Sequence, residues 1–218
     1  MPIPLGPELW TVLWLTLRVT GAALLLSALA GVPLGTWLGL ARFRGRRLLS
    51  AALYTGMGLP PVVVGLAVYL LLSRGGPLGF LGWLFTPQAM ALAQAVIALP
   101  VVAGLTCSAV SGVPADVFLQ VRALGAGRWQ ARWAVLREAR AGVLVALAAG
   151  FGRVISEVGA AMMVGGNIEG HTRVLTTAIV LETSKGAFAL ALALAGWLLA
   201  LALAVNAAML ALQGRPQA

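Results

Sequence analysis

One cysteine, one histidine and one lysine occur in 218 residues: Cys107, His171 and Lys185. A single cysteine excludes an internal disulfide framework, and Cys107 lies inside an apolar run, where a small packing residue is expected. A single histidine excludes a multi-histidine metal site, so no metal or other cofactor is expected. His171 falls in a glycine-rich loop and reads as a solvated side chain. The lone lysine sits in the run TSKG, so the GxxxxGK[ST] phosphate loop is absent, as are HExxH and GxSxG. No nucleophile–base set is visible, no catalytic residue is assigned, and the chain is not expected to be an enzyme. Charge is scarce as well. Charged residues make up 10% of the chain, against about a quarter in soluble domains.

Apolar residues are abundant: 61% of the chain is hydrophobic and its mean hydropathy is +0.97. They fall in blocks long enough to cross a bilayer, which takes about 20 residues per helix. The expected fold is an all-α integral membrane protein, one transmembrane domain over residues 1–218. Five spans are expected, at about 9–41, 48–73, 89–111, 141–164 and 187–212. The start MPIPLGPELW lacks the basic region and short apolar core of a signal peptide, so the first block is read as a retained helix. That block exceeds one perpendicular crossing and should tilt or begin along the interface, with Trp10 and Trp14 in the interfacial belt.

Proline marks the second and third blocks. Pro60 and Pro61, in GLPPVVVG (58–65), lack amide protons and should free carbonyls near Gly56 and Met57. Two readings stand: a packing kink, or a break that lines a wet pathway. Pro100 predicts another kink in the third block. Two loops, 74–88 and 165–186, are rich in glycine and partly apolar, and the second reads as partly re-entrant.

The net charge of +9 is strongly asymmetric. With the N-terminus outside and the C-terminus in the cytoplasm, the inner segments hold ten arginines: Arg42, Arg44, Arg46, Arg47, Arg122, Arg128, Arg132, Arg137, Arg140 and Arg215. The outer segments hold three basic residues: Arg74, Arg173 and Lys185. The positive-inside rule therefore fixes the orientation, and the positive charge faces lipid headgroups rather than nucleic acid. Arg173 has two readings, a contact for an acidic docking protein or a local pair with Glu169 or Glu182. Half of the inner arginines lie in the one long polar segment, Asp116–Arg140, whose apolar residues return at helical spacing. It predicts an amphipathic cytoplasmic helix–turn–helix between spans 3 and 4, on which another protein docks.

Ionisable residues inside spans are functional suspects. They are Arg18, Arg153 and Glu157. Arg153 and Glu157 are four apart and share a helix face. Arg18 lies about 12 Å along its helix from Trp10, and Glu157 roughly 10 Å from Val164 at the outer end of its span. The spans run in opposite directions, so Glu157 is expected to bridge both arginines, either as an interhelical clamp or as a gate beside an anion path.

Two stretches carry a family likeness. VRALGAGRW (121–129) resembles the cytoplasmic coupling loop of ABC importer permeases, whose pattern is EAA, three residues, glycine, nine residues, then I-x-L-P. Gly125 falls at the glycine and Val135 at the isoleucine. Leu119, Gln120 and Val121 occupy the EAA positions, and Arg137 and Glu138 those of L-P. GLPPVVVG together with SEVGAAMMVGGNIEGHTRVLTTAI (156–179) resembles the molybdate/tungstate branch, most of all the tungstate-type permease. The resemblance implies a homodimeric permease of the prokaryotic cytoplasmic membrane, moving tungstate, molybdate or a related oxyanion by alternating access. It implies two cytoplasmic ABC ATPase subunits and an extracytoplasmic oxyanion-binding protein as partners. Ala123, Leu124, Gly125 and Ala126 would form the ATPase-coupling turn, flanked by Arg128 and Arg132, which read equally as headgroup-binding arginines. Pro60, Pro61, Arg18, Arg153 and Glu157 would belong to the pathway or gate. A membrane scaffold that recruits a cytoplasmic partner without transporting anything is the alternative.

Overall fold

The computed structural model describes residues 6–41 and 43–212. Arg42 and Arg215, counted above on the inner side, lie outside the described residues. Ten α-helices follow one another: α1 (Pro7–Leu40), α2 (Arg46–Met57), α3 (Pro61–Leu72), α4 (Pro87–Ser111), α5 (Ala115–Ala123), α6 (Arg128–Glu138), α7 (Arg140–Ile155), α8 (Gly159–Gly165), α9 (Leu175–Ser184) and α10 (Phe188–Leu212). A short 3-10 turn at Gly79–Leu81 is the remaining element, and the described residues contain no strand.

Three helices, α1, α4 and α10, are each long and apolar enough to cross a membrane. Two helix pairs pass the same test together but are bent: α2–α3 by 99° and α7–α8 by 61°. Counting each pair as one span gives the five expected from hydropathy. At 34 residues, α1 is about 51 Å long, well over a bilayer's hydrocarbon thickness.

The core is built on α4. Its apolar window is 78% buried, whereas that of α10 is 6% buried and leaves most of its surface for lipid or a partner. Helix α1 runs along α4 at very short range because glycine recurs every fourth residue on the contact face. A Cβ on Gly31 would meet Val102 and the Ala103 nitrogen at 3.1–3.2 Å, one on Gly35 would collide with the Ala103 carbonyl, and one on Gly39 would lie 2.9 Å from Val110. Removing side chains lets backbones approach, the usual means of helix association where water supplies no hydrophobic drive. Beside α1 on the same helix, Gly142 and Gly150 of α7 sit against Ala109 and Val102 of α4. Helix α4 continues through Pro100, and the proline ring supports Gly56 of α2.

The basic cluster after α1 has a structural member. Arg46 donates from Nε to the Leu38 carbonyl (3.0 Å) and from Nη2 to the Gly39 carbonyl (3.4 Å) and Ser111 Oγ (3.2 Å). It satisfies carbonyls at the open C-terminus of α1, where a cation also complements the helix dipole, and ties that end to the end of α4.

The loop between α8 and α9 is held by Thr172. Its hydroxyl donates to the Gly165 carbonyl (2.6 Å) and accepts the Ile168 N–H (2.9 Å). His171 is exposed, as expected. Arg173 pairs locally with Glu169 at 3.1 Å, the second of its two readings.

Candidate functional site

Two places carry polar chemistry or unpartnered surface that the fold does not consume. The first is the tip between α5 and α6. Ala131, Val135 and Ala139 are buried, and the last two join Val110 in a small core with Val117 and Phe118 leaning on it. The hairpin is thereby anchored to the ends of α1 and α4, and its turn projects free. Gly125 has φ +88°, a left-handed conformation open to glycine at little cost, and space surrounds its Cα. Arg122 Nη1 donates to the Ala126 carbonyl (2.8 Å), and Gln130 Oε1 accepts the Gly127 N–H (2.7 Å). These two bonds fix the turn from both sides, so its exposed groups are presented rigidly.

The presented groups are apolar. Leu124 is 88% exposed and Trp129 79% exposed, with Leu119 and Trp133 also outside. Arg132 lies over the Trp129 ring, 5.2 Å from its centroid. Large apolar side chains left bare on one tip form a candidate interaction surface. Of the residues expected in the coupling turn, Ala123, Leu124 and Gly125 are exposed, Ala126 is partly covered, and Arg128 stands exposed at the start of α6.

The second place is where the two broken helix pairs meet. Pro60 is extended (ψ 124°) and Pro61 begins α3, so α2 ends at Met57 and a new helix starts at a steep angle. The other break spans residues 156–158 and was not expected from sequence. Glu157 is 5% exposed, and its Oε1 accepts the Ala160 N–H of α8 at 2.9 Å. The Glu157 carbonyl accepts the Thr176 hydroxyl of α9 at 2.9 Å. Side-chain and backbone oxygens of one residue thus hold the restart of the helix and its attachment to α9.

The two breaks pack against each other through α3 and α8. A Cβ on Gly65 would lie 2.7 Å from Ala160 Cα, and one on Gly159 would lie 2.8 Å from Val62. Arg153, in the last turn of α7, donates from Nη2 to the Leu59 carbonyl at 3.3 Å. That carbonyl precedes the two prolines, and Val63 and Val64 bond instead to Pro60.

The expected bridge between Arg18, Glu157 and Arg153 is not formed. Among the described residues the ion pairs are Arg173–Glu169 and Lys185–Glu182. The break at 156–158 takes Glu157 off the face of α7, and its carboxylate serves a backbone N–H instead. Arg18 is exposed on the face of α1 that also carries Trp14, Gly21 and Leu25, so it points away from the core that holds Glu157. Sequence reasoning also passed over Thr176 and the glycine repeat Gly31, Gly35, Gly39. The repeat was legible as small residues four apart; the partner of Thr176 lies 19 residues away and had no local signal.

Bent spans meet at their breaks, and an apolar tip projects from the bundle. The chain belongs to the family described as binding-protein-dependent transport system inner membrane component, whose model matches residues 31–215; it is a multi-pass membrane protein. It is 41% identical over 211 residues to the tungstate uptake system permease protein TupB of Peptoclostridium acidaminophilum, covering 97% of this chain and 92% of that one. It is 47% identical over 197 residues to a probable anion ABC transporter permease protein of Haloferax volcanii, covering 88% and 85%. The molybdenum transport system permease protein ModB of Escherichia coli K12 is 33% identical over 193 residues, covering 83% and 82%. Among solved structures, an inward-facing MetNI methionine ABC transporter superposes with a TM-score of 0.70 over 98% of this chain and 96% of that chain. At 21% identity this likeness speaks for the fold alone.

Proposed function

We propose that the chain is the permease subunit of an ATP-driven importer for tungstate or a related oxyanion such as molybdate. It acts as a homodimer, over one permease domain spanning residues 1–218, with the N-terminus outside and the C-terminus in the cytoplasm. It has no ATPase site of its own and takes work from cytoplasmic ATPase subunits, receiving substrate from an external oxyanion-binding protein. The observation that carries this reading is the tip at Ala123–Ala126, an exposed apolar turn on a rigid anchor, in a chain 41% identical along nearly its whole length to a tungstate uptake permease. A groove on the ATPase would cover Leu124 and Trp129, with Arg128 and Arg132 at its rim.

The junction of the two breaks brings together Pro60, Pro61, Arg153 and Glu157, and its moving side is α7–α8. Arg18 lies outside that junction and is assigned to the lipid-facing or subunit-facing side of α1. The α7–α8 break is the hinge of alternating access: Ser156 (φ −89°, ψ 1°) departs from helical values mainly in ψ and Val158 (φ −118°, ψ −51°) mainly in φ, and with no proline in the break these dihedrals are free to rotate.

The test is reconstitution of the complex in liposomes with binding-protein-dependent uptake and ATP hydrolysis measured for tungstate, molybdate and sulfate. Uptake of tungstate or molybdate with matching stimulation of hydrolysis is expected. Stimulation by none of the three anions would refute the substrate assignment. Gly125→Asp forces a Cβ and a charge onto the left-handed turn and should abolish stimulated hydrolysis; normal ATP-driven uptake in that variant would refute the coupling assignment.

A further inference from the structure

Arg153 is a cation without a counter-ion. Glu157, the nearest acid in sequence, is occupied at the restart of α8, and no ion pair involves Arg153 among the described residues. Its Nε–H is buried and unpartnered, while Nη2 reaches the Leu59 carbonyl at a long 3.3 Å. An arginine in this state has spare donors and a full positive charge inside a membrane protein. That costs free energy unless something anionic meets it.

Its surroundings leave room for such a visitor. Gly152 is open, with nothing near the position of a Cβ, and Ala149, Ser156, Leu59 and Pro60 are exposed on the same side. Arg153 as a residue is partly exposed. Planar donors in a fixed fork suit the paired oxygens of a tetrahedral oxyanion better than a single carbonyl does.

We propose that Arg153 meets the oxyanion as it passes the two breaks, and that the anion displaces the Leu59 carbonyl from the guanidinium. The inference rests on the oxyanion-importer reading. It adds a specific contact and a consequence. Arg153 ties the end of α7 to the break before α3, so a hydrogen bond joins the two bent spans. The arriving anion outcompetes a neutral carbonyl for a cation, because it adds charge attraction and offers two oxygens to the parallel N–H groups of the guanidinium fork. The tie loosens when substrate is present, which favours the rearrangement that lets it through.

The test compares variants in the reconstituted complex, reading anion transported per ATP hydrolysed with tungstate as the probe. Arg153→Gln keeps an N–H donor for the Leu59 carbonyl and removes the charge. The expected result is a fall of about ten-fold or more in the ratio, with the complex still assembled. Arg153→Lys keeps the charge without the fork and should retain a larger share of transport than Gln does. Ala149→Asp leaves Arg153 in place and sets a competing carboxylate four residues before it on the exposed side; it too should cut transport about ten-fold, whereas Ala149→Asn should not. A purely structural role for the Leu59 bond predicts the opposite pattern, with Gln restoring function and Ala149→Asp harmless, and that pattern would overturn the proposal. If Arg153→Gln fails to assemble, the Ala149 pair decides alone. Absence of tungstate uptake in the unmodified complex would instead point to the substrate reading as the fault.

Discussion

The two bent spans differ in what bends them. In α2–α3 the break is covalent. Pro60 is held extended, Pro61 has no N–H to give, and the angle is 99°. In α7–α8 no proline is present, and the 61° bend is held by contacts: the Glu157 carboxylate on Ala160 and the Thr176 hydroxyl on the Glu157 carbonyl. The first break is costly to heal into a continuous helix, since each interior proline opposes it by about 3 kcal/mol. The second can change angle by exchanging hydrogen bonds, because none of Ser156, Glu157 and Val158 is a proline. Under the proposed function, these two spans divide between them the roles of fixed reference and movable part.

The comparison can be broken hardest where the spans touch. Gly65→Val places side-chain atoms where Ala160 Cα already stands. The contact atom is backbone and cannot swing aside, so a loss of about 3 kcal/mol is expected, at the upper end for overpacking. The melting temperature of the detergent-purified protein measures it. Gly152→Ala, where nothing lies near the added atom, is the control and should leave melting unchanged.

Next comes the contact-held break itself. Glu157→Ala removes a charged acceptor from a buried N–H and should cost about 2 kcal/mol, while Glu157→Gln keeps an acceptor and should recover most of that loss. Equal losses in the two variants would mean that the charge, rather than the hydrogen bond, holds α8. Thr176→Val removes one neutral bond and should cost about 1 kcal/mol. The smallest effect is expected at the covalent break. Pro60→Ala leaves Pro61 in place to end α2, and its main cost is the added freedom of the unfolded chain, about 0.5 kcal/mol. A larger loss at Pro60 than at Glu157 would reverse the assignment of fixed and movable breaks.

The same contrast explains which features the residues announced. Pro60–Pro61 states its break locally, because proline limits its own backbone and its neighbour's. Gly125 likewise announced a turn, and it adopts φ +88°. The long apolar blocks marked the spans, because bilayer thickness sets their length whatever their partners. The break at 156–158 has no such local marker. It depends on Thr176 reaching back from α9, a tertiary event, and for that reason Glu157 was read as the next rung of a straight helix facing Arg153. Arg18 was misplaced for a related reason. A helix apolar all round does not reveal which face turns inward, and the inward face of α1 is set by its glycines instead. The tip's apolar exposure was only half legible: Leu124 and Trp129 fit helical periodicity, but their lack of cover became visible only with the hairpin anchored by Val135 and Ala139.

The most direct test of the fixed-and-movable assignment is a pair of distances in the assembled complex. Spin labels across α7–α8, at Ala149 and Met162, and across α2–α3, at Ala52 and Ala67, are introduced after replacing buried Cys107 with alanine. Distances are then compared between nucleotide-free and ATP-bound states. The expected result is a shifted distance distribution across α7–α8 with that across α2–α3 unchanged. A shift across α2–α3 with α7–α8 fixed would contradict the account.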